Sequence, residues 1–225
     1  MKNTVENSIT NQASENKFFQ SLLSTHHVGI DTCVWLLDPE DRQKMFFANL
    51  EEAQKATNST VWTTEETVLE LQSKLPDETL GPVATRALSY MEGMAQENRL
   101  IVYQASEDHA QRRPFADQAF LSRLLENRDA SVALLTQDRA LACDILQMND
   151  FQSVRGRRIK VYRINGAGKP SGFNLLKTAD GKYIDPKSTG LYASFGTGMA
   201  QADAAPVPRP ELTPAIRCGA PRARA

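Results

Sequence analysis

Short apolar runs rich in β-branched residues recur along the chain, at Val28 to Ile30, Thr60 to Trp62, Leu100 to Tyr103 and Val132 to Leu135. Each is followed by a longer segment whose apolar residues fall at helical spacing. Strands alternating with helices predict an α/β fold with a central, mostly parallel sheet in three layers, α/β/α. The helix boundaries carry their own signals. Asp38-Pro39-Glu40 sets a capping residue before a proline at a first helical position, and Phe46, Phe47 and Leu50 supply the apolar stripe of a helix over 39–56. Thr63 and Glu66 have capping-box spacing, and Val68, Leu71 and Leu75 extend that face until Pro76. Further helices are expected over 79–97, 114–127 and 138–149, with Asp138 as the N-cap of the last.

The two ends break this pattern. Residues 1–27 form a polar N-terminal tail in which Phe18, Phe19, Leu22 and Leu23 share one helix face suited to docking. A last strand, Ile159 to Ile164, stops at Asn165-Gly166, which predicts a domain over 28–165 and a C-terminal extension over 166–225. From about Met199 the extension turns Ala/Pro-rich and aperiodic. Such a segment buries too little apolar surface to offset chain entropy, so both tails are expected to be flexible and the last part disordered. A chain of 225 residues accommodates one α/β domain and these tails.

Composition narrows the chemistry. With 41% hydrophobic and 24% charged residues, the body of the chain has an ordinary globular balance. The formal net charge of -1 provides no global attraction for nucleic acid, so any such binding must come from local basic patches. Cys33, Cys143 and Cys218 lack the spacing of a zinc site or a disulfide framework, which points to a reducing cytoplasm. Cys33 and Cys143, set in apolar runs, read as small buried residues without a catalytic role. The polar N-terminus lacks the apolar core of a signal peptide, and no run of about 18 apolar residues predicts a membrane span.

An α/β sheet binds ligands at the carboxyl ends of its strands, and two of four candidate acids stand there. Asp31 follows the first apolar run directly, and Asp138 follows the fourth through Thr136-Gln137. Glu70 lies on the helix after the second strand, and Asp117 in the first turn of the helix beginning near Pro114. Each has a plainer reading: Asp31 as a solvated strand-end acid, Asp117 and Asp138 as acids favoured at helix N-termini, and Glu70 as a neighbour of Glu66 on one helix face. Taken together they form one site more readily than four unrelated features. Clustered carboxylates oppose joint ionisation unless a cation compensates. Magnesium and manganese suit such an all-oxygen donor set.

The motifs resemble those of the PIN-domain nuclease family over roughly residues 28–165. Val28-Gly29-Ile30-Asp31-Thr32 is similar to the family's first strand and acid, Val68-Leu69-Glu70-Leu71 to its helical glutamate, and Phe115-Ala116-Asp117-Gln118-Ala119 to the third acid opening a helix. The most specific piece runs from Leu134 to Leu141 and resembles the family's strand, Thr-x-Asp turn and following helix. The resemblance implies a divalent-metal-dependent endoribonuclease that hydrolyses phosphodiester bonds of single-stranded RNA with a metal-activated water. It implies Mg2+ or Mn2+ on Asp31, Glu70, Asp117 and Asp138, with the Thr136 hydroxyl supporting the site. Family members often use a further acid near the fourth. Asp144, six residues beyond Asp138, is expected to point away by helix geometry and stays outside this set.

Residues 151–179 hold seven basic side chains and no acid. Arg155, Arg157, Arg158, Lys160 and Arg163 can track phosphates, with Tyr162 available for stacking and Arg112 and Arg113 joining from the loop before Asp117. A solvated strand face explains the same run equally well. His26, His27 and His109 have no general-base context and are expected to face solvent. Among family roles, a toxin partnered by an antitoxin fits poorly with the long extension over 166–225, whereas RNA processing or decay fits; a homodimer is compatible with either. The alternative is a catalytically weak PIN-like module that binds RNA or a protein. A receiver-like or phosphatase-like domain is disfavoured because Cys33 stands where the second aspartate of such phosphatases would lie, and a dinucleotide-binding domain because no GxGxxG follows the first strand.

Overall fold

Five short strands, β1 (His27–Ile30), β2 (Val61–Thr64), β3 (Leu100–Tyr103), β4 (Val132–Leu135) and β5 (Lys160–Ile164), run parallel in the order β3-β2-β1-β4-β5. An antiparallel strand, β6 (Pro170–Gly172), follows at the far edge. The computed structural model that gives this arrangement describes residues 17–104, 116–126, 131–150, 159–179 and 181–184. Its helices are α1 (17–25), α2 (Thr32–Trp35), α3 (Glu40–Thr57), α4 (Glu65–Ser73), α5 (Gly81–Gln96), α6 (Ala116–Glu126) and α7 (Arg139–Gln147). A small hairpin, β7 (Leu176–Lys177) with β8 (Tyr183–Ile184), forms a separate sheet. Among the described residues no helix is long and apolar enough to cross a membrane.

The apolar runs become central strands because both of their faces are buried. In β4, Val132 and Leu134 join Trp62, Phe120, Leu124 and Ile145 in one hydrophobic cluster. Ala133 and Leu135, offset by one residue, join Val28, Ile30, Trp35, Phe46 and Leu50 in the other. This period-two split leaves no position in Val132–Leu135 for a polar side chain. Trp62 is fully buried, and its indole lies against Phe120, Tyr103 and His27 with ring centroids 5.4, 5.7 and 5.8 Å away. It lies over Gly29, where a Cβ would come within 2.6 Å of the indole ring.

Several boundaries differ from the sequence reading, each for a local reason. Thr63 is a strand residue whose hydroxyl donates to the Ile30 carbonyl at 2.8 Å, and Thr64 caps α4 by accepting from the Thr67 N–H at 3.4 Å. Glu66 is therefore not the partner in a capping box. It is buried, with one carboxylate oxygen lacking a hydrogen bond. α4 stops at Ser73, before Pro76. The sheet also continues past residue 165, where the domain was expected to close. Asn165 accepts from the N–H groups of Ala167 and Lys169 at 2.9 and 3.1 Å, and Gly168 takes a positive φ of 71°, so Asn165-Gly166 begins a hairpin into β6. Arg42 and Asn49 of α3 donate to carbonyls of that turn and hold it on the helix. The tail helix α1 docks as expected, burying Phe19, Leu22 and Leu23. The segment from about 199 lies outside the described residues.

The chain steps outward from β1 to β2 to β3 and then returns to the other side of β1 for β4. The β1/β4 boundary is therefore the topological switch point, with Ile30 opposite Leu135 in register. Asp31 and Thr136 leave the sheet side by side there.

Gly29→Ala tests the close approach of β1 and Trp62. The added methyl must displace a packed indole, an overpacking that costs about 1–3 kcal/mol. Urea unfolding is expected to show a lower midpoint with an unchanged slope, and an unchanged midpoint would mean that Trp62 has room to move.

Candidate functional site

Asp31 is only 3% exposed, yet its carboxylate is not isolated. Its Oδ2 accepts from the Thr136 hydroxyl at 2.6 Å and from the Cys33 thiol at 2.8 Å. Both donors are themselves acceptors. The Asp138 N–H donates to Thr136 Oγ1 at 2.9 Å, and the Gln137 N–H donates to Cys33 Sγ at 2.9 Å. Two relays, amide to hydroxyl to carboxylate and amide to thiol to carboxylate, thus run from the β4–α7 turn onto a single oxygen. Cys33 Sγ and Thr136 Oγ1 lie 3.3 Å apart, but each has one proton and the charged acceptor is the stronger draw for both. Asp31 occupies the N-cap position of α2 without capping it, because its side chain is held toward β4 instead.

Burial holds the Asp31 carboxyl above the usual aspartate range; donors from Cys33, Thr136 and the Thr32 backbone oppose this, and the nearby Glu70 charge adds to it. Burial, with the Asp31 charge, pushes the Cys33 thiol far up, so it stays protonated and available as a donor. Glu70 is exposed on α4 and accepts from the Thr32 hydroxyl at 2.8 Å, which ties that helix to the residue following Asp31.

Asp117 lies in the first turn of α6 and is exposed. Its carboxyl is pushed up to about 6, first by desolvation and then by the charges of Asp31, Asp138, Glu70 and Asp144. Asp117 thus feels the charges of the other three acids singled out in the sequence. Asp138 also fills its plainer role: it caps α7, Oδ1 accepting from the N–H groups of Ala140 and Leu141 at 2.7 and 3.1 Å. Among the described residues, no three His, Cys, Asp or Glu side chains form a group ready to hold a metal ion. The acids share a field without being drawn together to ligand distance.

Three residues escaped the sequence reading. Cys33, read there as a small buried residue, is half-buried and bonded to the central acid. Thr32 holds Glu70. Asp144, set aside by helix geometry, raises Asp117 and is itself raised by burial and by Asp138. Asp138 is a cap with extended backbone, φ -76° and ψ 117°, and Asp144 lies near enough to feel its charge. The Asp-x-Cys spacing at the end of a strand was the available signal for Cys33.

The basic residues divide. Lys160 and Arg163 lie on β5, beside β4; Lys160 sits near His26, and Arg163 near Arg42, as the lowering effect of each cation on its neighbour shows. Arg112, Arg113, Arg155, Arg157 and Arg158 lie outside the described residues. His27, expected to face solvent, is half-buried, stacked on Trp62 and 3.1 Å from the Tyr103 hydroxyl.

Asp117 provides a test of the shared field. Its carboxyl has an ordinary value of 3.8 and titrates at about 6 in the fold, so the folded state binds the proton more tightly. That contribution is fully present below the lower value, is lost as pH rises through the upper one, and stays lost beyond it. Asp117→Asn in chelator should therefore melt higher than the native protein at about pH 7, with the gap closing toward about pH 4. A melting difference independent of pH would contradict the shared field. Set against protein-family models, curated proteins and solved structures, the chain matches none of them.

Proposed function

We propose that the protein is a divalent-metal-dependent endoribonuclease acting on single-stranded RNA in the cytoplasm, built like the PIN-domain nucleases that its motifs resemble. The observation that carries this reading is the set of acids around Asp117, whose carboxyl is raised to about 6 by desolvation and then by Asp31, Asp138, Glu70 and Asp144. A fold that retains such repulsion calls for a positive counter-charge. The three-layer α/β/α arrangement belongs to the same reading, supported by alternate residues of β4 entering two different hydrophobic clusters.

The donor set fits Mg2+ or Mn2+, since every candidate group is a carboxylate or hydroxyl oxygen. Asp31, Glu70, Asp117 and Asp138 would hold the ion, which supplies a Lewis acid that lowers the pKa of a water and offsets charge on the phosphodiester. The chain's own residues do the rest. Thr136 and Cys33 fix the Asp31 carboxylate, and Thr32 fixes Glu70. Glu70, Asp117 and Asp138 are exposed, so drawing them onto an ion buries no unpaired charge, and the rotamer cost falls mainly on Asp117, since Glu70 and Asp138 are already hydrogen-bonded. Arg163, exposed on β5 with Arg157 and Arg158 before it in the sequence, would orient the phosphates.

Labelled single-stranded RNA should be cut in Mg2+ or Mn2+ and left intact in chelator. Asp31→Asn should lower the rate at least about 100-fold, ~2.7 kcal/mol of barrier. Equal cleavage by this variant, or cleavage in chelator, rules the mechanism out. Binding without cleavage under all conditions favours an RNA-binding module instead. Replacing Arg157, Arg158 and Arg163 with alanine should weaken RNA binding and flatten its salt dependence by roughly 0.7 in log–log slope for each phosphate no longer neutralised. An unaltered slope assigns that run to structure.

A further inference from the structure

We propose that Cys33 is a positioning residue whose thiol, with the Thr136 hydroxyl, fixes the Asp31 carboxylate so that only Oδ1 is offered to a cation. The inference rests on the metal-site reading above and names a residue within it. Oδ2 has two lone pairs, and two side-chain donors occupy them: Thr136 at 2.6 Å and Cys33 at 2.8 Å. A cation approaching Asp31 must then be taken at Oδ1.

The environment of Cys33 is that of a directed donor. The sulfur receives the Gln137 N–H at 2.9 Å, which fills its acceptor side and turns the S–H toward Asp31. Donation to sulfur also polarises the thiol, strengthening its bond to the carboxylate. The contact spans the switch point, joining the end of β1 to the turn after β4. Thr136 makes the equivalent link from the β4 side, so the carboxylate is gripped from both strands. With Thr136 alone, Asp31 could pivot about its Cα–Cβ and Cβ–Cγ bonds while keeping one hydrogen bond. With both, its plane is set. A space-filling cysteine would tolerate alanine at little cost to the carboxylate, whereas a positioning thiol calls for another donor.

The test uses the full-length chain and Mn2+ alone, with free Mn2+ read by electron paramagnetic resonance. Cys33→Ala should weaken Mn2+ binding by about 10- to 100-fold, the range for residues that orient a metal ligand, while Cys33→Ser should stay within about threefold of native. Native-like binding by the alanine variant overturns the inference, and so does failure of serine to rescue. A second readout needs no variant at position 33 to fold well beyond assignment of the signal. The infrared S–H stretch lost in Cys33→Ser should move to higher frequency in Asp31→Asn, where a neutral amide replaces the carboxylate acceptor. A band that stays in place overturns the inference by itself. Native protein that holds no Mn2+ sinks the metal reading and this inference with it, a result distinct from a failure at Cys33.

Discussion

The buried carboxylate of Asp31 is the constraint on which the site depends. An aspartate at 3% exposure is tolerable only if its charge meets donors, and here the donors come from opposite sides of the strand reversal. Thr136 and Cys33 each pass on a backbone amide of the β4–α7 turn. The parallel pairing of β1 with β4 is therefore more than a sheet contact. It sets the register that brings Asp31 beside Thr136, and a slip of one residue would turn Thr136 to the other face. Fold and candidate site share this single alignment.

The strands and the acids were legible in the sequence because each has a period or a position. Val132–Leu135 has the unbroken apolar text of a strand buried on both faces; Asp31 follows such a run directly and Asp138 follows one through Thr136-Gln137. What was not legible depended on where side chains turn after an element ends. Thr63 and Thr64 are adjacent and chemically alike, and only the reach of Thr63 to the Ile30 carbonyl decides which one caps α4. Asn165-Gly166 signalled a chain reversal correctly, but whether a strand returns afterward rests on contacts from Arg42 and Asn49, more than a hundred residues away in sequence. Cys33 was missed for a related reason. The Asp-x-Cys spacing sets the thiol two residues from Asp31, but only the fold of the short helix α2 turns the sulfur back onto it.

Charge is distributed so that the acidic edge does not stand alone. A pocket of carboxylates repels a phosphodiester as strongly as it attracts a cation, so a nuclease built on one needs positive groups close by. β5 pairs with β4, the strand that leads into Thr136, and carries Arg163 toward that end and Lys160 at the opposite end near His26, within a stretch of 29 residues that has no acid. Adjacent strands lie about 4.8 Å apart, so β5 directly borders the strand whose following turn carries Thr136 and Asp138. An overall charge of -1 conceals this division.

Asp138 shows that capping a helix need not commit a whole carboxylate. One of its oxygens caps α7 through two backbone N–H groups, which lowers the cost of holding a charge at a crowded edge. Those bonds go to Oδ1, and the carboxylate keeps a second oxygen for other partners. The same economy applies at Asp31, where Oδ2 is committed to Thr136 and Cys33. In both residues the side-chain or capping hydrogen bonds that anchor the carboxylate fall on one oxygen. An acid anchored in this way would lose little further freedom on meeting a cation, whereas the Asp117 carboxyl is raised by desolvation and then by the charges of neighbouring acids, a repulsion that a cation would relieve.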